Sequence, residues 1–186
     1  MVLRQLRRGV VLALLFLVVC GLAYPLAETA LAQGLFGYQA NGSIGAGGSV
    51  LIGQTFTGPG FFHTRPDSNQ PMATGGSNLG PRSAALVAQV KSQIAYWHSQ
   101  GVSPTNDLVT TSGSGVDPDI SPAAAYAQVP MVAKARGLSV RSLENLVASQ
   151  VHGRQLGFLG SPYVNVLELN RALARLSAPG LASGAA

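Results

Sequence analysis

At 186 residues the chain has room for one membrane segment and one further domain of ordinary size. Its one cysteine, Cys20, excludes an intramolecular disulfide and a cysteine metal site. The formal charge of +5 looks basic, yet three of the twelve Lys and Arg stand before Gly9, and from Gln33 onward nine scattered bases meet six acids. No basic stripe with interleaved aromatics appears, so no nucleic-acid partner is expected. The charged fraction of 10% is low and suits a domain that packs against another protein or a membrane.

Gly9 to Ala27, GVVLALLFLVVCGLAYPLA, is nineteen residues without a charge. As a helix rising roughly 1.5 Å per residue it matches the roughly 30 Å hydrocarbon core of a bilayer. Arg4, Arg7 and Arg8 precede it with no acid among them, and short basic flanks stay in the cytoplasm, so the rest of the chain is expected outside. Two readings of the segment stay open. Its length favours a retained anchor, while Ala30-Leu31-Ala32 before Gln33 fits the Ala-x-Ala pattern of a cleaved export signal. Pro25 is tolerated by either.

Further on, Glu28 to Phe36 is expected to add helical turns, and the glycine-rich Gly42 to Ser49 to form a turn or hairpin tip. Val50 to Phe56, VLIGQTF, reads as a short strand in which Gly53 marks a bulge or a close backbone approach. Phe61 to Pro81 reads as loop. Arg82 to Gln100 is the clearest helix, with Leu86, Val90, Ile94 and Trp97 on one face and Gly101 and Pro104 ending it. Asp107 to Asp119, DLVTTSGSGVDPD, opens with a three-residue strand and returns to turn chemistry. Ser121 and Pro122 start a helix to about Arg136, stopped by Gly137, that Pro130 should kink. Ser139 caps a helix from Val140 to His152, and Asn165 with Glu168 resembles a capping box for a last helix to about Leu176. The tail from Ser177 has too little apolar bulk to pack and is expected to be disordered. The fold class is α+β, helix-rich with few short strands. The boundaries are a cytoplasmic N-terminus over 1–8, an anchor over 9–32, an extracytoplasmic domain over 33–176 and a tail over 177–186.

Catalytic constellations are missing from the sequence. It holds no G-x-x-x-x-G-K-[ST] phosphate loop, H-E-x-x-H helix or G-x-S-x-G elbow. His63, His98 and His152 are scattered, the last two near expected helix C-termini where an imidazolium meets the negative dipole end. Asp117 and Asp119 bracket Pro118, but two carboxylates fall short of the six to eight oxygens that calcium wants. They read instead as turn and cap residues. Gly75-Gly76-Ser77-Asn78 has the composition of an anion-binding nest of backbone amides, although a glycine-rich turn alone is weakly specific. Trp97, Tyr96, Phe61 and Phe62 read as core or interface aromatics. An exported hydrolase would have to draw on Asp117, Asp119 or His63.

The runs YPLAETALAQGLF (Tyr24 to Phe36), QANGS (Gln39 to Ser43), GSVLIGQTF (Gly48 to Phe56), FFHTRP (Phe61 to Pro66) and GGSNLGP (Gly75 to Pro81) fall in a known order. They are followed by DLVTTSGSGVDPDISPAAAYAQV (Asp107 to Val129), VAKARGLS (Val132 to Ser139) and VNVLELNRAL (Val164 to Leu173). Together they resemble the KdpC family, the C subunits of Kdp potassium-transporting ATPases, over most of the chain from Tyr24 onward. Three features depart from the family pattern. Thr64 and Asp67 stand where it usually reads serine, the loop between Pro66 and Gly75 is short, and Pro130 interrupts a helix.

The resemblance implies a retained single-span subunit of the bacterial inner membrane, noncatalytic itself, with no cofactor of its own. Its implied partners are a channel-like potassium-binding subunit, a P-type ATPase subunit, a small membrane subunit and membrane lipid. Two roles are implied: holding the complex together from outside, and raising the pump's affinity for ATP as a catalytic chaperone. ATP contact, where it occurs, falls to Gly75, Gly76, Ser77 and Asn78. Assembly or structural motif residues carried by the resemblance are Leu51, Gly53, Gln54, Arg65, Pro66, Gly80, Pro81, Ser112, Gly113, Ser114, Gly115, Asp117, Pro118, Asn165 and Asn170. The alternative is a freestanding exported binding domain released by cleavage after Ala32.

Overall fold

The structure, a computed structural model, describes residues 1–67 and 74–176. The expected tail from Ser177 lies outside the described residues. The chain divides into two compact units, Met1–Ser49 and the part from Val50 onward.

The first unit is one long helix followed by a hairpin. Helix α1 (Val2–Val18) passes through a π-helical turn (Val19–Ala23) into α2 (Tyr24–Ala40). Pro25 explains the wide turn, because it has no N–H and its ring crowds the carbonyl four residues back. The combined helix, Val2–Ala40, is 39 residues and long and apolar enough to cross a membrane. The helical turns expected over Glu28 to Phe36 are present and continue to Ala40, with a break in helical geometry at Phe36 (φ −136°, ψ 41°). The hairpin expected at Gly42 to Ser49 is also present: β1 (Ile44–Gly45) pairs antiparallel with β2 (Gly48–Ser49).

The second unit is helix-rich. Helix α3 (Ala84–Ser99) turns Leu86, Val90 and Ile94 half inward and buries Trp97, whose Nε1–H donates to Leu108 O at 2.8 Å. The strand expected at Asp107 is instead a helical turn, α4 (Asn106–Val109). Asp107 there accepts the Thr105 hydroxyl, and the turn lets Leu108 and Val109, adjacent in sequence, both be buried. After β3 (Asp119–Ile120), Ser121 caps α5 (Pro122–Arg136) by accepting Ala124 N–H at 3.1 Å. Gly137 ends it in the left-handed conformation (φ 66°). Pro130 lies inside α5 on its exposed side, where a freed carbonyl can be hydrated, and the helix runs on as one element.

Ser139 caps α6 (Val140–Ser149), which stops short of the expected His152. Residues Val151–His152 form β4, an edge of a three-stranded antiparallel sheet in the order β3, β5 (Tyr163–Asn165), β4. Ile120 and Val151 flank Val164 across it, so the strand pairing outcompetes another helical turn. Asn165 caps α7 (Val166–Leu176) through Glu168 N–H at 3.2 Å. Helices α5, α6 and α7 pack in sequence, with Leu143, Val147, Leu169, Leu173, Val129 and Val132 fully buried between them.

The strand expected over Val50 to Phe56 is absent. That segment lies against another loop, with Val50 O accepting Asn165 Nδ2 at 2.9 Å and Gly53 N–H donating to Val116 O at 2.8 Å. A Cβ on Gly53 would stand 2.7 Å from Asp117 O, so the glycine marks the close-approach alternative.

Phe62 and His63 enter the core without a strand partner. Phe62 N–H donates to Asn170 Oδ1 at 2.9 Å and its carbonyl accepts Asn170 Nδ2 at 2.8 Å. His63 is bracketed the same way by Gln128, at 2.8 and 3.1 Å. Replacing Asn170 by Ala orphans two buried backbone groups at about 1–3 kcal/mol each. Urea unfolding of Asn170→Ala should therefore show about 2–4 kcal/mol lost, and a loss below about 0.5 kcal/mol would deny the amide this role.

Candidate functional site

The candidate residues converge on the loop between α4 and β3, residues 110–118. Arg65 grips its start: Nε donates to Thr110 O at 3.3 Å, and Nη2 to Thr110 Oγ1 at 3.1 Å and Thr111 O at 3.2 Å. Asp67 grips its middle. One carboxylate oxygen accepts Ser112 N–H at 2.6 Å, and the other accepts Ser112 Oγ–H at 2.8 Å and Asp117 N–H at 2.9 Å. Such charge-assisted bonds are roughly twice as strong as neutral ones.

Glycine is required where backbones meet. Gly75 N–H donates to Ser114 O at 2.7 Å. Gly115 has φ +70°, and a Cβ on it would lie 2.5 Å from Gly75 O, while one on Gly76 would lie 3.0 Å from Gly113 O. The two glycine runs are thus docked backbone to backbone. Downstream, Asp117 Oδ1 accepts Asp119 N–H at 3.0 Å, Asp119 Oδ1 accepts Asn165 Nδ2 at 2.9 Å, and Pro118 O accepts Val166 N–H at 3.0 Å.

The structure therefore brings together Gly53, Arg65, Gly75, Gly76, Ser112, Gly113, Ser114, Gly115, Asp117, Pro118 and Asn165. Asn170 instead serves Phe62 in the core. Gly80 and Pro81 are exposed in the turn before α3, where Gly80 O accepts Ser83 N–H, and Leu51 is exposed. Ser77 and Asn78 are exposed, with Asn78 at φ 53°. Gln54 and Pro66 line a cleft of about 410 Å³ over the loop, with His63, Trp97 and Tyr96 on its walls. A second cleft of about 450 Å³ is lined by Asp107, Asp117, Asp119 and Tyr163, and Arg65 lines both.

Asp67 and Gln128 are functional to the fold and were not singled out as site residues from sequence. Asp67 stood out only as a departure from the family pattern, and its partners lie 45 and 50 positions away, so no local spacing reveals it. Gln128 sits on an otherwise apolar helical face, the one signal that could have found it.

Burial and neighbours set the titration of three groups. Burial lowers the His63 pKa from its ordinary value, against the raising effect of the Gly58 and Phe56 backbone carbonyls. Its Nε2 lies 3.0 Å from Gly58 O, and its ring meets Trp97 edge-on, so it is held as a neutral packing group. At Asp107 burial acts to raise the pKa, but hydrogen bonds from Thr105 and Ser121 outweigh it and hold the carboxyl low. Asp119 is raised, first by burial and then by Asp117 and Glu168, with Asn165 and His152 opposing. His152 is not at a helix end. It stands on β4 stacked against Tyr163 at 4.8 Å, with Nε2 3.3 Å from Glu168 Oε2. Among the described residues no group of three His, Cys, Asp or Glu is placed to hold a metal ion.

These features define a small helix-rich α+β domain carried behind one helix long and apolar enough to cross a membrane. The sequence model of the KdpC family, described as K+-transporting ATPase, c chain, matches residues 6–175. A potassium-transporting ATPase KdpC subunit from Methylobacterium nodulans is 48% identical over 94% of this chain and 98% of its own length. Those from Caulobacter vibrioides (48%; 92% and 93%) and Acidobacterium capsulatum (46%; 91% and 97%) are similarly close. The chain belongs to the KdpC family and is thus an accessory component of a potassium-transporting ATPase.

Two measurements test the site. Gly115→Ala places a Cβ at positive φ and against a carbonyl and should cost about 2 kcal/mol or more, whereas Gly113→Ala, whose Cβ would meet nothing within 4 Å, should stay within about 0.5 kcal/mol. Equal melting temperatures for the two would remove the backbone-contact argument. For His63 the folded pKa lies below the ordinary 6.5, so below that value the unfolded chain binds more protons. Its contribution is fully present above 6.5 and is lost as pH falls toward the folded pKa. Unfolding followed across that window should show a smaller acid loss in His63→Phe than in the parent chain, and an identical loss would contradict the burial of a neutral ring.

Proposed function

We propose that the chain is a noncatalytic assembly subunit of an ATP-driven potassium importer. Its apolar helix is held in the bacterial inner membrane, residues ahead of Gly9 lie in the cytoplasm, and the domain from Gln33 lies outside. There it docks on a channel-like potassium-binding subunit, beside a P-type ATPase subunit and a small membrane subunit. The observation that carries this reading is the way the candidate residues serve their own backbone. Arg65 and Asp67 bind groups of the 110–118 loop, Asp117 accepts the Asp119 N–H and Asp119 accepts the Asn165 amide, so all four charged groups are engaged within the domain, which suits a preformed docking surface better than a reaction centre. The basic flank of Arg4, Arg7 and Arg8 supports the orientation.

On this reading an effect on ATP affinity arises through the assembled complex, because nucleotide and domain stand on opposite sides of the membrane. Gly75 and Gly76 pack against the 113–115 backbone, since the Gly75 amide is already donated to Ser114. Release by cleavage after Ala32 fits less well, because α2 runs through that bond to Ala40 and would have to unwind. Deleting Met1 to Ala32 should leave a soluble, folded domain that no longer copurifies with the pump. Full yield of active complex from the truncated chain would refute the anchoring role.

A further inference from the structure

The loop joining β4 to β5, residues 153–162, carries apolar side chains outward. Leu156 is 83% exposed, Phe158 68% and Leu159 47%. The loop is nonetheless tightly built. Gln155 N–H donates to Leu159 O at 3.0 Å, Leu159 N–H returns to Gln155 O at 2.9 Å, and Gly157 and Gly160 take positive φ. Leu156 itself sits at φ 52°, a conformation that strains a residue with a Cβ. Strain and exposed apolar surface in one short loop both oppose folding in isolation, and such a coincidence points to use.

Its return limb, Ser161 to Tyr163, forms one wall of the 450 Å³ cleft whose other walls include Asp107, Asp117 and Asp119. Arg65 also lines this cleft, but its guanidinium is directed to Thr110 and Thr111. The finger therefore stands beside a negatively charged recess. Three carboxylates repel the anionic headgroups of a bacterial membrane, whereas a lysine or arginine side chain would be attracted to them.

We propose that this finger and the acidic cleft beside it form a docking surface for another polypeptide of the pump complex, one offering an apolar pocket bordered by lysine or arginine. The proposal rests on the assembly-subunit reading above and adds to it the surface and the chemistry of its match. Leu156 and Phe158 enter the pocket, and the basic side chain enters the cleft.

The test uses the full chain, tagged and coexpressed with the other subunits. Leu156→Ser with Phe158→Ser should reduce the copurified subunits about tenfold, as expected for apolar anchors at the centre of an interface, while Tyr126→Ser, an exposed aromatic on α5, should not. Asp117→Asn with Asp119→Asn keeps the oxygen acceptors of both turns and should weaken copurification while flattening its salt dependence. If the unmutated chain captures no other subunit, the assembly reading itself fails. If it captures them and the finger variant does so equally well, only the finger proposal fails. Unchanged salt dependence in the carboxylate variant would overturn the role of the cleft. A photocrosslinker at position 158 of the assembled full chain that captures phosphatidylglycerol and no subunit would assign the finger to lipid and overturn it as well.

Discussion

Two side-chain amides hold the domain's entry segment where a strand partner would ordinarily do so. Gln128 from α5 and Asn170 from α7 each bind both backbone groups of one residue, His63 and Phe62 respectively. Phe62 is fully buried, so its N–H and C=O would otherwise lie unpaired in the core. Gln128 is itself fully buried and is satisfied because the carbonyls of His63 and Ala124 accept from its Nε2 while its Oε1 accepts the His63 N–H. Once Phe62 and His63 are fixed, the chain emerges with Arg65 and Asp67 facing the 110–118 loop. The loop is therefore gripped by a segment that α5 and α7 hold in place.

The loop follows the same logic on a smaller scale. A sheet fixes backbone with backbone, but here the strands are two or three residues long and can fix very little. Arg65, Asp67, Gln128, Asn165 and Asn170 take over, each reaching across tens of residues to a main-chain group. Glycine then becomes necessary wherever two backbones approach without side chains between them, at Gly53 against Asp117 and at Gly115 against Gly75. Arrangements of this kind tolerate little substitution without requiring any residue to do chemistry. They show how motif residues can be fixed in place by backbone packing alone.

What could be read from sequence follows from which interactions are local. Ser121, Ser139 and Asn165 cap helices through bonds three residues away, and Gly137 stops one by its own conformation, so α5, α6 and α7 were legible. Where long-range pairing decides, local reading failed. VLIGQTF has strand composition but lies as irregular backbone on a loop, and Val151 and His152 leave a helix pattern to pair with β5. The candidate site was legible in its glycines and in Arg65, Asp117 and Asn165 through family resemblance. Periodicity alone gave no reason to connect them, and Asp67, their central acceptor, has no local signal at all.

The sparse charge of the chain acquires meaning once placed. Of the six acids from Gln33 onward, Asp67, Asp107, Asp117 and Asp119 are all engaged with the segments around this one loop. Each stabilises a turn, yet Asp107, Asp117 and Asp119 together leave a negative recess in a region whose nine bases lie elsewhere or, like Arg65, are directed to carbonyls. Burial first, and then the like charges of Asp117 and Glu168, raise the pKa of Asp119, while Asn165 and His152 counter them. A cationic side chain from outside would relieve that repulsion more effectively than solvent. The same carboxylates that shape the loop would then favour a partner's binding, coupling the internal order of the domain to its assembly.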